Sequence, residues 1–188
     1  KTLFENQNIL DLSRFDKMNI VKVKYFQEGN INFIYLPKSI ETINHGAFYI
    51  NKIKTLDLSN YTKLKVIESL SFAKNQIKQL KLPKNIETIE NEAFQNNQIE
   101  VLDLSNCINL KIIKSWAFES NQIKELKLPK NIEIIKEFSF CDNQIKSLDL
   151  SNYINLNIIS TGAFESNKIK ELKLPKNIEV MYKDAFKN

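Results

Sequence analysis

The sequence has little of what catalysis and cofactor binding usually need. Its 188 residues include one histidine, one tryptophan, two cysteines, three glycines and four prolines. His45 has no second histidine and no Glu-x-x-His around it. It stands in a column held elsewhere by Asn91 and Lys183, so a surface position is expected rather than a metal ligand. Gly29, Gly46 and Gly162 are scattered, which excludes a glycine-rich phosphate loop. Cys107 and Cys141 fall in different columns of the sequence pattern and form no Cys-x-x-Cys, so neither a disulfide framework nor a zinc ribbon is expected, and the redox compartment stays open. No apolar run approaches the roughly 18 residues of a membrane span. No charged start followed by an apolar stretch marks a signal peptide, and its lack says little about secretion.

What is present is repetition. Pro37, Pro83, Pro129 and Pro175 are spaced 46 residues apart, and Leu36, Leu58, Leu82, Leu104, Leu128, Leu150 and Leu174 step by 22 and 24 in turn. The unit at residues 83–128 therefore has two similar halves. Each runs from Leu-Pro or Leu-Ser through an Ile-rich segment, an Ala-Phe pair and an Asn to a closing Leu-x-Leu. A period in this range marks a solenoid in which each coil buries its apolar face against its neighbours. A column of Phe48, Phe72, Phe94, Phe118, Phe140, Phe164 and Phe186, each after Ala or Ser, should interlock large and small residues between coils.

Each coil predicts one dependable strand, such as residues 77–82, with Leu80 and Leu82 inward and Gln79 and Lys81 outward. Stacked coils would make a parallel sheet on the concave side. Segments such as 86–89 and 111–113 predict a second, weaker ladder opposite, and no stretch carries a helical period. Proline after the strand suits a position with no ladder donor to lose. Asn51, Asn75, Asn97, Asn121, Asn143 and Asn167 form a buried column expected to satisfy backbone groups of their own coil and the next. The start reads as a cut or a cap, with Phe4 8 residues before Leu12 where later Phe residues stand 10 before their Leu. In the divergent coil that follows, Leu12, Met18, Val21 and Phe26 point inward and Gly29 replaces Asn. The chain ends at Phe186-Lys-Asn without a closing strand. We expect a single domain over 1–188, about eight coils, and a fragment of a longer protein. Hydrophobic residues at 43% are enough for such a core.

The outward positions carry any function. One strand row reads Asp11, Tyr35, Asp57, Lys81, Asp103, Lys127, Asp149, Lys173, an alternation that predicts a cross-strand charge ladder. Each pair is worth about 0.2–1 kcal/mol, less when exposed. A structural role in holding register is preferred over ligand contact, and both stay open. The neighbouring row starts at Phe33, so Phe33 and Tyr35 place two aromatics on the concave face, as partner anchors or beneath a cap. Trp116 and Phe138 lie in adjacent coils and form a second candidate patch, with packing preferred over binding. A row of Lys54, Lys78, Lys124, Lys146 and Lys170 is interrupted by Glu100 and has no interleaved aromatics, which argues against nucleic acid or anionic glycan as ligand. The net charge of +5 reflects a Lys, Asn and Ile mixture that AT-rich coding favours by itself. Ser71-x-x-Lys74 spells a nucleophile motif, but Ser71 sits in the small-residue column and should be buried. Asn60-Tyr-Thr62 is a lone glycosylation sequon.

Leu82-Pro83, Ile86, Ile89, Ala93-Phe94, Asn97, Ile99 and Leu102-x-Leu104, recurring over about residues 12–186, resemble the BspA-like, treponemal-type leucine-rich repeat of bacteria. The family often has Gly after the second Ile, where this chain has Glu90, Lys114 or Lys136. The resemblance implies a right-handed leucine-rich repeat solenoid and a surface-displayed or secreted binding module. The leading expectation is a non-catalytic protein-binding module, for adhesion or host interaction, that uses the concave sheet. No catalytic residue, cofactor, metal or small-molecule substrate is expected. A structural spacer or self-association module is the alternative, a polyanion-binding domain is less favoured, and oligomeric state is left open.

Overall fold

In a computed structural model the described residues are 8–21, 26 and 28–187; the early Phe4 position lies outside them. They form a parallel β-solenoid without helix. Each coil contributes a three-residue and then a two-residue strand. The first five coils contain β1 (Ile9–Asp11), β2 (Ile20–Val21), β3 (Phe33–Tyr35), β4 (Thr42–Ile43), β5 (Thr55–Asp57), β6 (Val66–Ile67), β7 (Gln79–Lys81), β8 (Thr88–Ile89), β9 (Val101–Asp103) and β10 (Ile112–Ile113). The remainder contain β11 (Glu125–Lys127), β12 (Ile134–Ile135), β13 (Ser147–Asp149), β14 (Ile158–Ile159), β15 (Glu171–Lys173) and β16 (Val180–Met181). The phenylalanine column, from Phe26 to Phe186, spans about seven full turns rather than the eight expected.

Burial follows the two-residue alternation. Leu56, Leu102 and Leu148 at the centres of long strands are buried while their neighbours face out, and Ile43, Ile67, Ile89, Ile113, Ile135 and Ile159 are fully buried on the short strands. One contiguous core runs from Leu10 to Ala185. Its spine is the phenylalanine stack, with centroids 5.2–5.8 Å apart and near-parallel rings.

Beside it runs the asparagine column, 4–7% exposed. Asn97 Oδ1 accepts from Ile77 N–H at 3.0 Å, and its Nδ2 donates to Phe72 O at 2.9 Å and Phe94 O at 3.1 Å. Every hydrogen-bonding need of the amide is thus met, and its bonds reach the preceding coil rather than the next. Gly29 fits the same logic, because a Cβ there would stand 2.7 Å from Asn51 Oδ1.

The two ladders reverse their expected ranks. The short strands form two four-stranded sheets, β2-β4-β6-β8 and β10-β12-β14-β16. The long strands, expected to be the dependable ladder, pair only in twos: β1-β3, β5-β7, β9-β11 and β13-β15. Coils that open with Leu-Ser carry two more residues between their long and short strands than coils that open with Leu-Pro. The extra residues carry a tyrosine that reaches back across the break. Leu36 N–H donates to Tyr61 Oη at 3.1 Å and Leu128 N–H to Tyr153 Oη at 3.2 Å. Within a pair the same bond is made directly, Leu58 N–H to Lys81 O at 2.8 Å. At the middle seam Cys107 holds the tyrosine position, and there the short ladder is open as well, between β8 and β10.

The third side is built from turns that form a ladder of their own. Gly46, Phe48 and Ile50 N–H donate to Ser69, Ser71 and Ala73 O of the following coil. This requires two left-handed residues per coil, such as Leu70 (φ 59°) with Lys74 (φ 54°), and Trp116 (φ 57°) with Ser120 (φ 51°). Such a backbone costs an ordinary residue about 1–2 kcal/mol, offset here by the interstrand-like bond it makes.

Candidate protein-binding face

On the long-strand face Phe33 and Tyr35 stand on β3, opposite Ile9 and Asp11 of β1. They are 50% and 52% exposed, which leaves both rings half in solvent with β1 in place beside them. Phe33 does not share in the core, so burial does not account for it.

The charged row is brought together, but in pairs. Asp57 lies opposite Lys81, Asp103 opposite Lys127 and Asp149 opposite Lys173, in register within the two-stranded ladders. The Nζ to Oδ2 distances are 3.6, 3.3 and 2.9 Å. Among the described residues no ion pair joins Lys81 to Asp103 or Lys127 to Asp149 across the seams. The other carboxylate oxygen is also engaged, since Asp57 Oδ1 accepts from Ser59 N–H at 3.0 Å and Ser59 Oγ at 2.6 Å, and Asp103 and Asp149 repeat this with Ser105 and Ser151. The serine hydroxyl is the largest cause holding these carboxyls below their ordinary range, with the lysine assisting; Asp149 is lowered to about 2. These aspartates therefore have their own structural partners, and the lysines, about 70% exposed, project beyond them.

Trp116 and Phe138 stack at 6.0 Å with planes 11° apart. The Phe138 ring lies on Gly162, where a Cβ would clash with it, so the pair packs on the next coil's backbone rather than under a loop. Trp116 remains 37% exposed. The basic row is tied to the acid that interrupts it, Lys124 to Glu100 at 2.8 Å.

His45 is exposed, and its backbone N–H donates to Glu68 Oε2 at 2.9 Å. Ser71 is fully buried and its hydroxyl donates to Glu68 O at 2.6 Å, which removes it as a nucleophile. Cys107 and Cys141 are free thiols, both pushed up to about 11 by burial, and so lack thiolate character. No group of three or more metal-ligating side chains occurs among the described residues. No helix is long and apolar enough to cross a membrane among them. Two features went unseen in the sequence: the left-handed columns, and the tyrosine seams, whose 46-residue recurrence as Tyr61, Cys107 and Tyr153 was there to find.

The repeat pattern of the BspA type leucine-rich repeat region matches in six copies, over residues 1–109 and 65–188. The chain belongs to this family. No curated protein sequence matches it. Among solved structures it is similar to YopM, described as a leucine-rich effector protein from Yersinia pestis, with TM-score 0.56 and 21% identity over 93% of this chain and 54% of that one. It is also similar to the pneumococcal vaccine antigen PcpA, with TM-score 0.50 and 16% identity over 95% of this chain and 55% of that one. At these identities the likeness concerns the fold alone, and the chain spans about half of each structure's length. BspA-type repeats are generally protein-interaction modules.

Proposed function

We propose that this chain is a non-catalytic module that binds a protein ligand on its long-strand face, anchored by Phe33 and Tyr35. The carrying observation is that these two aromatic rings stand half exposed at alternate positions of β3, on one face, while the aspartates further along the same face are paired within the fold. Tyrosine and large apolar rings are the residue types that concentrate binding energy at protein interfaces. Lys81, Lys127 and Lys173 then supply positive charge further along the same face, for orientation and rate of encounter more than affinity. The family, and the descriptions of YopM as an effector and PcpA as a vaccine antigen, support a surface or secreted setting in which adhesion or host interaction is the purpose.

The test compares wild type with the Phe33→Ala/Tyr35→Ala double variant against extracellular extracts, followed by affinity measurement for any protein identified. We expect at least a tenfold loss of affinity with unchanged folding, as for anchors worth about 2 kcal/mol. Equal affinity in both proteins would reject the site. The self-association alternative rests on the exposed Trp116 ring and predicts concentration-dependent light scattering that Trp116→Gly abolishes.

A further inference from the structure

The three seams offer an internal comparison that assigns a second binding site. At two of them a tyrosine covers the leucine that precedes the proline: Leu36 and Leu128 are each 2% exposed, and each gives its N–H to the phenol oxygen. Lys38 Nζ also lies over the Tyr61 ring, 4.6 Å from its centroid. At the middle seam Cys107 is too short to do either. Leu82 is only partly buried, its N–H meets no hydroxyl, and a cleft of about 440 Å³ opens beside it. Leu82, Pro83 and Lys84 form its floor, Ser59 and Thr62 line it from the coil before and Asn106 and Ile108 from the coil after, with Ile108 59% exposed at the rim.

We propose that this cleft receives a tyrosine side chain presented by a bound protein. The chain's own sister coils define the occupant. A ring between the leucine-proline floor and Ile108 would bury the apolar surface that Tyr61 and Tyr153 bury elsewhere. Its oxygen would accept from Leu82 N–H, and Lys84 occupies the place from which Lys38 approaches Tyr61. Leu82 N–H, unlike Leu36 and Leu128 N–H, has no phenol partner and no backbone partner among the described residues, so phenol is preferred over phenyl. This site stands on the seam and does not depend on the Phe33 and Tyr35 reading.

N-acetyltyrosinamide titrated into the 188-residue chain, followed by ¹⁵N correlation spectra, tests it directly. A saturable shift of the Leu82 amide at millimolar concentration is expected, with N-acetylphenylalaninamide binding roughly threefold to tenfold more weakly for want of the hydrogen bond. Cys107→Tyr should fill the seat from within and abolish the response. Ile108→Lys changes only an exposed rim position and should weaken the response without altering the unfolding midpoint, which keeps the test decisive if the first variant misfolds. Phe33→Ala/Tyr35→Ala should titrate as wild type. An unmoved Leu82 amide, equal affinity for the phenyl probe, or a wild-type response in Ile108→Lys would overturn the proposal.

Discussion

The Tyr153 seam and the Cys107 seam join the same kinds of coil by different means. At Tyr153 the long strands do not pair, but the phenol hydroxyl bridges them and the short ladder continues, with Asn157 N–H on Glu133 O and Ser160 N–H on Ile135 O. At Cys107 the hydroxyl is missing, and the matching residues Lys111 and Lys114 make no such backbone bonds. On the turn side the seam is crossed by Phe94 on Phe118 at 5.4 Å, Asn121 Nδ2 on Phe94 O at 3.0 Å, Phe94 N–H on Ala117 O at 2.9 Å, and the Lys114 to Glu90 ion pair at 3.8 Å; on the other side the Cys107 thiol donates to Pro83 O at 3.9 Å. The lesson is a division of labour. Columns repeating in every coil hold the solenoid together everywhere, whereas features repeating every second coil differ from seam to seam.

The largest effect should come from removing a shared column where nothing else compensates. Phe94→Ala is expected to cost about 3–5 kcal/mol and to lower the urea m-value, because the halves on either side of the Cys107 seam then unfold separately. Phe140→Ala, beside the bridged Tyr153 seam, should cost a similar amount with the m-value kept. Equal m-values in the two variants would refute the contrast. Next comes Asn121→Ala, which leaves Ile99 N–H and two phenylalanine carbonyls unserved and should cost about 2–3 kcal/mol by thermal or urea unfolding.

Tyr153→Phe removes one hydroxyl bridge and should cost about 1 kcal/mol, with faster hydrogen exchange at Leu128 as its local signature. In the wild type, exchange should already be faster at Lys111 and Lys114 than at Asn157 and Ser160. The smallest effect lies on the charged row. Asp149, lowered to about 2, adds stability that is complete above its unfolded value near 3.9 and fades as pH falls toward 2. Ser151→Ala should raise its midpoint toward the ordinary range, read by carboxyl NMR titration, with little change in stability at neutral pH.

The sequence made the core legible because Leu, Ile, Phe and Asn recur at positions whose neighbours are always the same kind of coil. It predicted the strands, the buried asparagines and the Asp–Lys pairing from spacing alone. It could not reveal left-handed backbone at Leu70, Ile50, Trp116 or Phe138, since these residue types avoid that conformation; the carbonyl of the adjacent coil holds them there. Nor did it rank the ladders, because the break in the long one comes from two added residues whose direction the pattern does not encode. Phe33 and Tyr35 were legible as outward aromatics. The Leu82 cleft was not, since it arises from what Cys107 leaves uncovered.

The turn side has an electrical consequence. Ser69 C=O and Leu70 N–H belong to one peptide unit, as do Asn91 C=O with Glu92 N–H and Ser115 C=O with Trp116 N–H, and each such unit donates to the next coil's unit in line. Three such files of peptide dipoles run along the solenoid axis, all with their N–H ends toward the C-terminal coils, while sheets contribute little net dipole. The turn side therefore carries a local axial dipole whose positive end lies toward the C-terminal coils, opposite in sense to that of an α-helix and assembled from residues some twenty positions apart, while bonds elsewhere in the coil, such as Gln98 N–H on Ile77 O and Gln122 N–H on Ile99 O, run the other way.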